Sequence, residues 1–247
     1  MSGDTPKPDQ RGIEHHAARE NGRNRGLVIA APHEGFDLST GPIAKLIGTE
    51  LDVGWVVARG FRSRRRRTFV NVNRPTERPW RGDNFGPAKA TPEARAIFER
   101  YVETLREAAR VSGTEQLELL VEIHGHARLD ARGEPLSVIE VASRGLGASR
   151  LRALSGHDVA RLEELELNDA PPMYFGALKE HRQYRHGGGL ERFKFDATGA
   201  RSSGSLSPAI TLRALHFELP PTLRHHAEAH RFIARRLSEL ISLAMKA

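Results

Sequence analysis

The sequence predicts an α/β protein, with a mostly parallel or mixed twisted sheet and helices on both faces. Three observations carry that prediction. Apolar runs short enough for buried strands recur at residues 26–31, 53–58, 117–124 and 209–219. Segments with apolar residues at three- and four-residue spacing lie between them, the alternation of a sheet covered by crossover helices. No internal repeat or domain-scale linker breaks the order, and 247 residues suit one domain with a substantial core.

Residues 1–25 are polar and charged, without the apolar core of a secretory signal. They read as a flexible leader with a short helix near Ile13 to Glu20, ahead of a single domain over 26–247. Gly26-Leu27-Val28-Ile29-Ala30-Ala31 is the first buried strand, ending abruptly in Pro32-His33-Glu34-Gly35-Phe36-Asp37. Ser39 to Glu50 follows as a helix with Ile43, Leu46 and Ile47 at helical spacing, and Val53 to Ala58 as a second strand. A basic run, Arg62 to Arg67, precedes a strand at Thr68 to Val72, and a loop rich in Pro, Gly and Trp covers Pro75 to Lys89.

The helix over Thr91 to Val111 has a Thr cap, Pro92 in its first turn, and a stripe of Ile97, Tyr101, Leu105 and Ala108. Strands at Leu117 to His124 and Ser137 to Ala142 come next, then a helix from His157 to Leu165. Tyr184 to Pro208 is rich in Gly, Ser and charge and has no periodicity, the signature of a functional loop or flap. Ala209 to Leu219 forms the last strand, and Thr222 to Met245 a terminal helix with Phe232, Ile233, Leu237, Leu240 and Ile241 inward.

Composition narrows the chemistry. The absence of cysteine excludes disulfides and thiolate metal sites, and no apolar stretch is long enough for a bilayer, so a membrane partner is not expected and a cytoplasmic location is the default. The charge of +7 comes mostly from arginine, which grips carboxylate or phosphate with a fork of donors. Two partners follow: a small anionic substrate, or nucleic acid bound by Arg62 to Arg67. An aromatic content of 6% and the lack of stacking aromatics within that run argue against nucleic acid.

His33 follows the first strand directly, where ligands bind in open α/β sheets. With carboxylates at Glu34 and Asp37 beside it, the set suits a catalytic zinc with an open position. His124 ends another strand, on which alternation puts Glu122, His124 and His126 on one face. A parallel sheet brings the two strand ends together. His15-His16 and His225-His226 with His230 read as bystanders, and His-Glu-x-x-His is absent.

Pro32-His33-Glu34-Gly35, Asn71-Val72-Asn73-Arg74-Pro75, Glu122-Ile123-His124 and His216-Phe217-Glu218-Leu219 occur in an order that resembles the N-formylglutamate amidohydrolases, relatives of the aspartoacylase and zinc carboxypeptidase superfamily. The resemblance covers about residues 26 to 220. It implies a zinc carboxypeptidase-like hydrolase architecture and zinc-dependent cleavage of an amide bond in a small carboxylate-bearing substrate. His33 and His124 correspond to the imidazole zinc ligands. The family's His-x-x-Glu spacing lands on Phe36, so the carboxylate ligand falls to Asp37 or Glu34; Asp37 is preferred because adjacent loop residues seldom both face one ion.

The same resemblance makes Glu218 the general base, and Asn73 with Arg74 the pair that holds the substrate carboxylate. Arg66 or Arg67 would polarise the scissile carbonyl, while Arg64 and Arg65 read as solvated. Asn71 stands where the family has Asp, and with the altered first loop it keeps open a relative that retains the fold without metal.

Overall fold

The structure, a computed structural model, describes residues 11–19 and 24–246. Its elements run in chain order as β1 (Gly12–His16), β2 (Leu27–Glu34), α1 (Thr40–Leu51), β3 (Gly54–Arg59), β4 (Arg62–Ser63), β5 (Thr68–Asn71), β6 (Thr76–Glu77), β7 (Trp80–Arg81), β8 (Asn84–Phe85) and α2 (Pro92–Ala108). The second half gives β9 (Leu117–Gly125), β10 (Ile139–Arg144), α3 (Ala148–Glu164), β11 (Met173–Phe175), β12 (Gln183–His186), β13 (Gly189–Arg192), α4 (Thr198–Ser203), β14 (Thr211–Leu219), α5 (Pro221–Arg224) and α6 (Ala227–Met245).

Seven strands make one mixed sheet in the order β1-β3-β2-β9-β14-β10-β11. The central run β3-β2-β9-β14 is parallel, while β1 joins β3 and β10 joins β14 antiparallel. Alternation along the strands sorts side chains to two faces. Leu27, Ile29 and Ala31 of β2, Val121 and Ile123 of β9, and Leu215 and Phe217 of β14 pack against α1, α3 and α6. Val28 and Ala30, with Leu120 and Ala214, turn the other way onto Tyr101, Leu105 and Ala108 of α2.

That second face changes character along the strands. Its apolar residues end at Ala30, Leu120 and Ala214, and the next same-face positions on β9 and β14 are Glu122, His124, His216 and Glu218. A polar patch is thereby set into a buried sheet at the C-terminal strand ends. The local signals in α2 hold: the Thr91 side chain accepts from the backbone N–H of Ala94 at 3.1 Å, and Pro92 and Glu93 open the first turn.

Several sequence expectations are corrected. The helix near Ile13 to Glu20 is absent over its described part: Gly12–His16 is the edge strand β1, half-burying Ile13 on the α2 face and stacking His16 on Trp55 at 5.9 Å between ring centroids. The other residues of the expected leader, 1–10 and 20–23, lie outside the described residues. The loop at 75–89 contains β6, β7 and β8, and the helix placed at His157 begins earlier, at Ala148. The terminal helix is broken between α5 and α6 at His225-His226.

Candidate metal centre

The turn after β2 builds the first part of the site. The His33 carbonyl accepts the backbone N–H of both Phe36 (3.0 Å) and Asp37 (2.9 Å). This tight reversal passes through Gly35 at φ +89°, a conformation open to glycine and costly to other residues. It folds Asp37 back onto His33, with Oδ2 3.5 Å from Nδ1. Glu34 leaves in the other direction. Its Oε2 accepts from the Gly41 backbone N–H, which satisfies the start of α1 with a negative charge, while the Thr40 hydroxyl donates to the Asp37 carbonyl at 2.9 Å. The start of α1 takes the Glu34 carboxylate, and of the two carboxylates expected beside His33 it is Asp37 that the structure brings to the imidazoles.

Parallel pairing of β9 with β14 supplies the second part. His216 stands opposite Glu122, and Glu218 opposite His124, so the four side chains form a square on one sheet face. Parallel pairing of β2 with β9 brings in the first loop. The His124 Nδ1 lies 3.1 Å from the His33 Nδ1 and 3.3 Å from Asp37 Oδ2. Four atoms held at about 2.1 Å around a tetrahedral ion stand about 3.4 Å from one another. The separations of 3.1, 3.3 and 3.5 Å match three such vertices, and His33, Asp37 and His124 form a buried group that could hold a metal ion.

Behind this group sits Glu122, with no solvent exposure. Its Oε2 takes the His124 Nε2–H at 3.1 Å and the Asn73 amide at 3.0 Å; its Oε1 takes the Ser205 hydroxyl at 2.6 Å and the Tyr101 hydroxyl at 3.4 Å. An imidazole whose far nitrogen donates to a carboxylate presents its near lone pair to the ion in a fixed tautomer. Glu122, His124 and His216 also lie close enough together to form a second candidate ligand group.

The electrostatics follow from this crowding. Burial, reinforced by the charge of Arg62, lowers the His33 pKa and keeps the ring neutral. Burial also opposes ionisation of Asp37 and Glu122, yet hydrogen bonds from the imidazoles outweigh it and hold both well below the usual carboxylate range. For His124, burial opposes protonation, but Asp37 and Glu122 raise its pKa to about 9. The two imidazoles that meet at this point are thus shifted in opposite directions, His33 by burial and Arg62, His124 by its two carboxylate partners.

A cleft of about 560 Å³ opens over this point. His33, Asp37, His124, Asn73, Arg74, His216 and Glu218 all line it. One carboxylate oxygen of Glu218 is held by His216, and the other, Oε2, is buried without a hydrogen-bond partner among the described residues. Asn73 has its amide on Glu122 and its Oδ1 unpartnered. Arg74 crosses over Gly199, where a Cβ would overlap its guanidinium.

Arg66 and Arg67 are not brought to the cleft. They are exposed on the turn joining β4 to β5, and Arg67 lies over the Trp80 ring at 5.5 Å. Of the basic run, the arginine that lines the cleft is Arg62, at the start of the same hairpin. It donates to Asn71 Oδ1 at 2.5 Å, packs over Phe69 at 4.6 Å, and has its Nε buried without a partner. Burial pushes its pKa down to about 10. Sequence reasoning missed it because four arginines in a row, Arg64 to Arg67, carry the turn and mask the one that points inward.

The far wall, Lys194 to Ala200, comes from the Gly-rich segment. Its anchor is Glu140 on β10, buried, which accepts the backbone N–H groups of Lys194 (2.8 Å) and Phe195 (2.9 Å), the Tyr184 hydroxyl (2.6 Å), and the Arg128 guanidinium. The flap is thus a hairpin, β12 and β13, tied to the sheet by one carboxylate.

No family model matches the chain, and no curated protein matches it. Among solved structures the chain is similar to the gene product Atu2144 from Agrobacterium tumefaciens, with a TM-score of 0.53 at 14% identity over 96% of each chain. That likeness shows a shared fold. A bacteriophage poly-gamma-glutamate hydrolase gives a TM-score of 0.49 at 11% identity, over 94% of this chain and 88% of that one. A succinylglutamate desuccinalase from Vibrio parahaemolyticus gives 0.42 at 12%, over 95% and 67%.

Proposed function

We propose that the protein is a zinc-dependent amidohydrolase that cleaves an amide bond in a small, carboxylate-bearing substrate such as an N-acyl amino acid, in line with the resemblance to the N-formylglutamate amidohydrolases. The observation that carries this reading is the convergence of His33 Nδ1, His124 Nδ1 and Asp37 Oδ2 within 3.5 Å of one another on the floor of an arginine-lined cleft. Two imidazoles and one carboxylate favour zinc over the all-oxygen ligand sets of magnesium or calcium. Zinc held there would supply Lewis acidity and lower the pKa of water.

The chain's own residues divide the remaining work. Glu218 accepts the proton of the attacking water through Oε2 and returns it to the departing amine. Arg62, which lines the cleft and pairs directly with neither Asp37 nor Glu218, stabilises the negative charge that develops on the carbonyl oxygen. Arg74 grips the substrate's free carboxylate with its planar fork, and Asn73 offers Oδ1 beside it.

Metal analysis of the purified protein, with a panel of N-acyl amino acids, tests the reading. One zinc per chain is expected, and chelation should abolish hydrolysis. Glu218→Gln should retain the zinc while turnover falls by roughly two to four orders of magnitude. Full hydrolysis by that variant, or by the chelated protein, would refute the mechanism.

A further inference from the structure

His216 has no role in the mechanism above, yet it occupies a central place in the site. It lies two residues before Glu218 on β14, on the same sheet face and opposite Glu122. Its ring stacks on that of His124, with centroids 4.1 Å apart and planes tilted by 31°. Nε2 lies 3.2 Å from Glu218 Oε1. A carboxylate oxygen can only accept, so the ring proton belongs on Nε2. Nδ1, 3.5 Å from Glu122 Oε2, makes no hydrogen bond.

We propose that His216 is the positioning residue of the general base: its Nε2–H holds Glu218 Oε1 and so leaves Oε2, buried beside the cleft and unpartnered among the described residues, as the oxygen free to accept a proton. The inference rests on the reading of Glu218 as base. A glutamate has three side-chain torsions, and one fixed oxygen removes most of the freedom by which the other could turn away. The ring is in turn fixed by its stacking on His124. The alternative role, as a metal ligand with Glu122 and His124, is opposed by the hydrogen bonds that Asn73, Ser205 and Tyr101 already make to Glu122. A displacement of about 1 Å in a reacting group can cost about 100-fold in rate, which sets the scale of the expected effect.

Three variants test this through structure, metal content and kinetics. His216→Phe keeps a ring against His124 and removes the donor. His216→Gln carries an amide to the place of Nε2. His216→Asn ends short, at the place of Nδ1, and serves as a second variant without a donor to Glu218 should the Phe variant not fold. In crystals of the Phe or Asn variant the Glu218 carboxylate should be turned or split between orientations, and in the Gln variant it should keep its place. Zinc content should be unchanged in all three. In the donor-less variants kcat should fall by about 10- to 100-fold with KM within about threefold, and Gln should restore most of it. An unmoved Glu218 in the donor-less variants, an unchanged kcat, or no recovery with Gln would overturn the proposal, and loss of zinc would assign His216 to the metal instead. Full turnover by Glu218→Gln is a separate failure: it removes the base itself, whatever the His216 variants show.

Discussion

Glu122→Gln isolates the buried carboxylate behind His124. A glutamine has nearly the same shape, so the question is where its amide nitrogen can go. On the Oε2 side it would face two donors, His124 Nε2 and Asn73 Nδ2, at 3.1 and 3.0 Å. On the Oε1 side it meets the hydroxyls of Ser205 and Tyr101, which can rotate to accept. The substituted side chain therefore keeps its carbonyl on His124 and loses the charge, with the Ser205 and Tyr101 hydroxyls changed from donors to acceptors. A hydrogen bond to a charged group contributes about 1.5–3 kcal/mol against about 1 for a neutral one. Losing a metal ligand's orienting partner typically costs about 10- to 100-fold in metal affinity, or about 1.4–2.7 kcal/mol. Zinc affinity, measured by competition with a chelating dye, should fall by that factor. The metal-free variant should melt within a few degrees of the parent, because the lost attraction is offset by the relief of burying a charge. An unchanged zinc affinity would refute the claim that Glu122 acts through His124.

Arg62→Lys should lower kcat by about 10- to 100-fold, since a point charge cannot reproduce a planar fork, whereas Arg67→Ala should leave steady-state kinetics within twofold; the reverse order would return the role to the exposed turn. Asp37→Ala should abolish zinc binding by elemental analysis, while Glu34→Ala should retain it and lower stability by about 1 kcal/mol in urea through loss of the contact at the start of α1. Gly199→Ala should raise KM with little change in kcat, because its Cβ would overlap the Arg74 guanidinium and displace it; an unchanged KM would separate Arg74 from substrate binding.

What the sequence reveals of this site is governed by strand periodicity. His33, His124 and Glu218 are legible because each sits at or near the end of an apolar run, and two-residue alternation assigns each a face. The same counting places His216 beside Glu218 and Glu122 behind His124, so both were within reach, but alternation says nothing of which hydrogen bonds form. Arg62 was not reachable that way. Its direction depends on where a two-residue strand, β4, begins, and nothing in Arg62-Ser63-Arg64-Arg65-Arg66-Arg67 marks that boundary. Edge strand β1 was missed because His-His and Glu in a polar segment hide the single apolar residue, Ile13, that it half-buries. The flap carries no periodic signal, since its conformation is set by Glu140, 44 residues before Tyr184, reaching that hydroxyl and the backbone of residues 194 and 195.

Two arginines beside the site, Arg62 and Arg224, tie the fold to the proposed chemistry. Arg62 feels the charges of Asp37, Glu218 and Glu122, and Arg224 feels those of Asp37, Glu218 and Glu34. Direct pairing of either guanidinium with Asp37 or Glu218 would quench the carboxylates to which the proposed mechanism gives a part. Neutral groups engage them instead. Arg62 donates to the Asn71 amide oxygen, and Arg224 spreads its donors over the carbonyls of Leu219, Leu38 and His126. The fold makes room for the second of these at Gly125, where any Cβ would overlap the Arg224 guanidinium. Asn71, at the position where the resembling family has Asp, fits the same pattern: an uncharged acceptor orients Arg62 without neutralising it. The positive charge at the cleft thus stays unpaired with these carboxylates, as the proposed anionic substrate and metal would require.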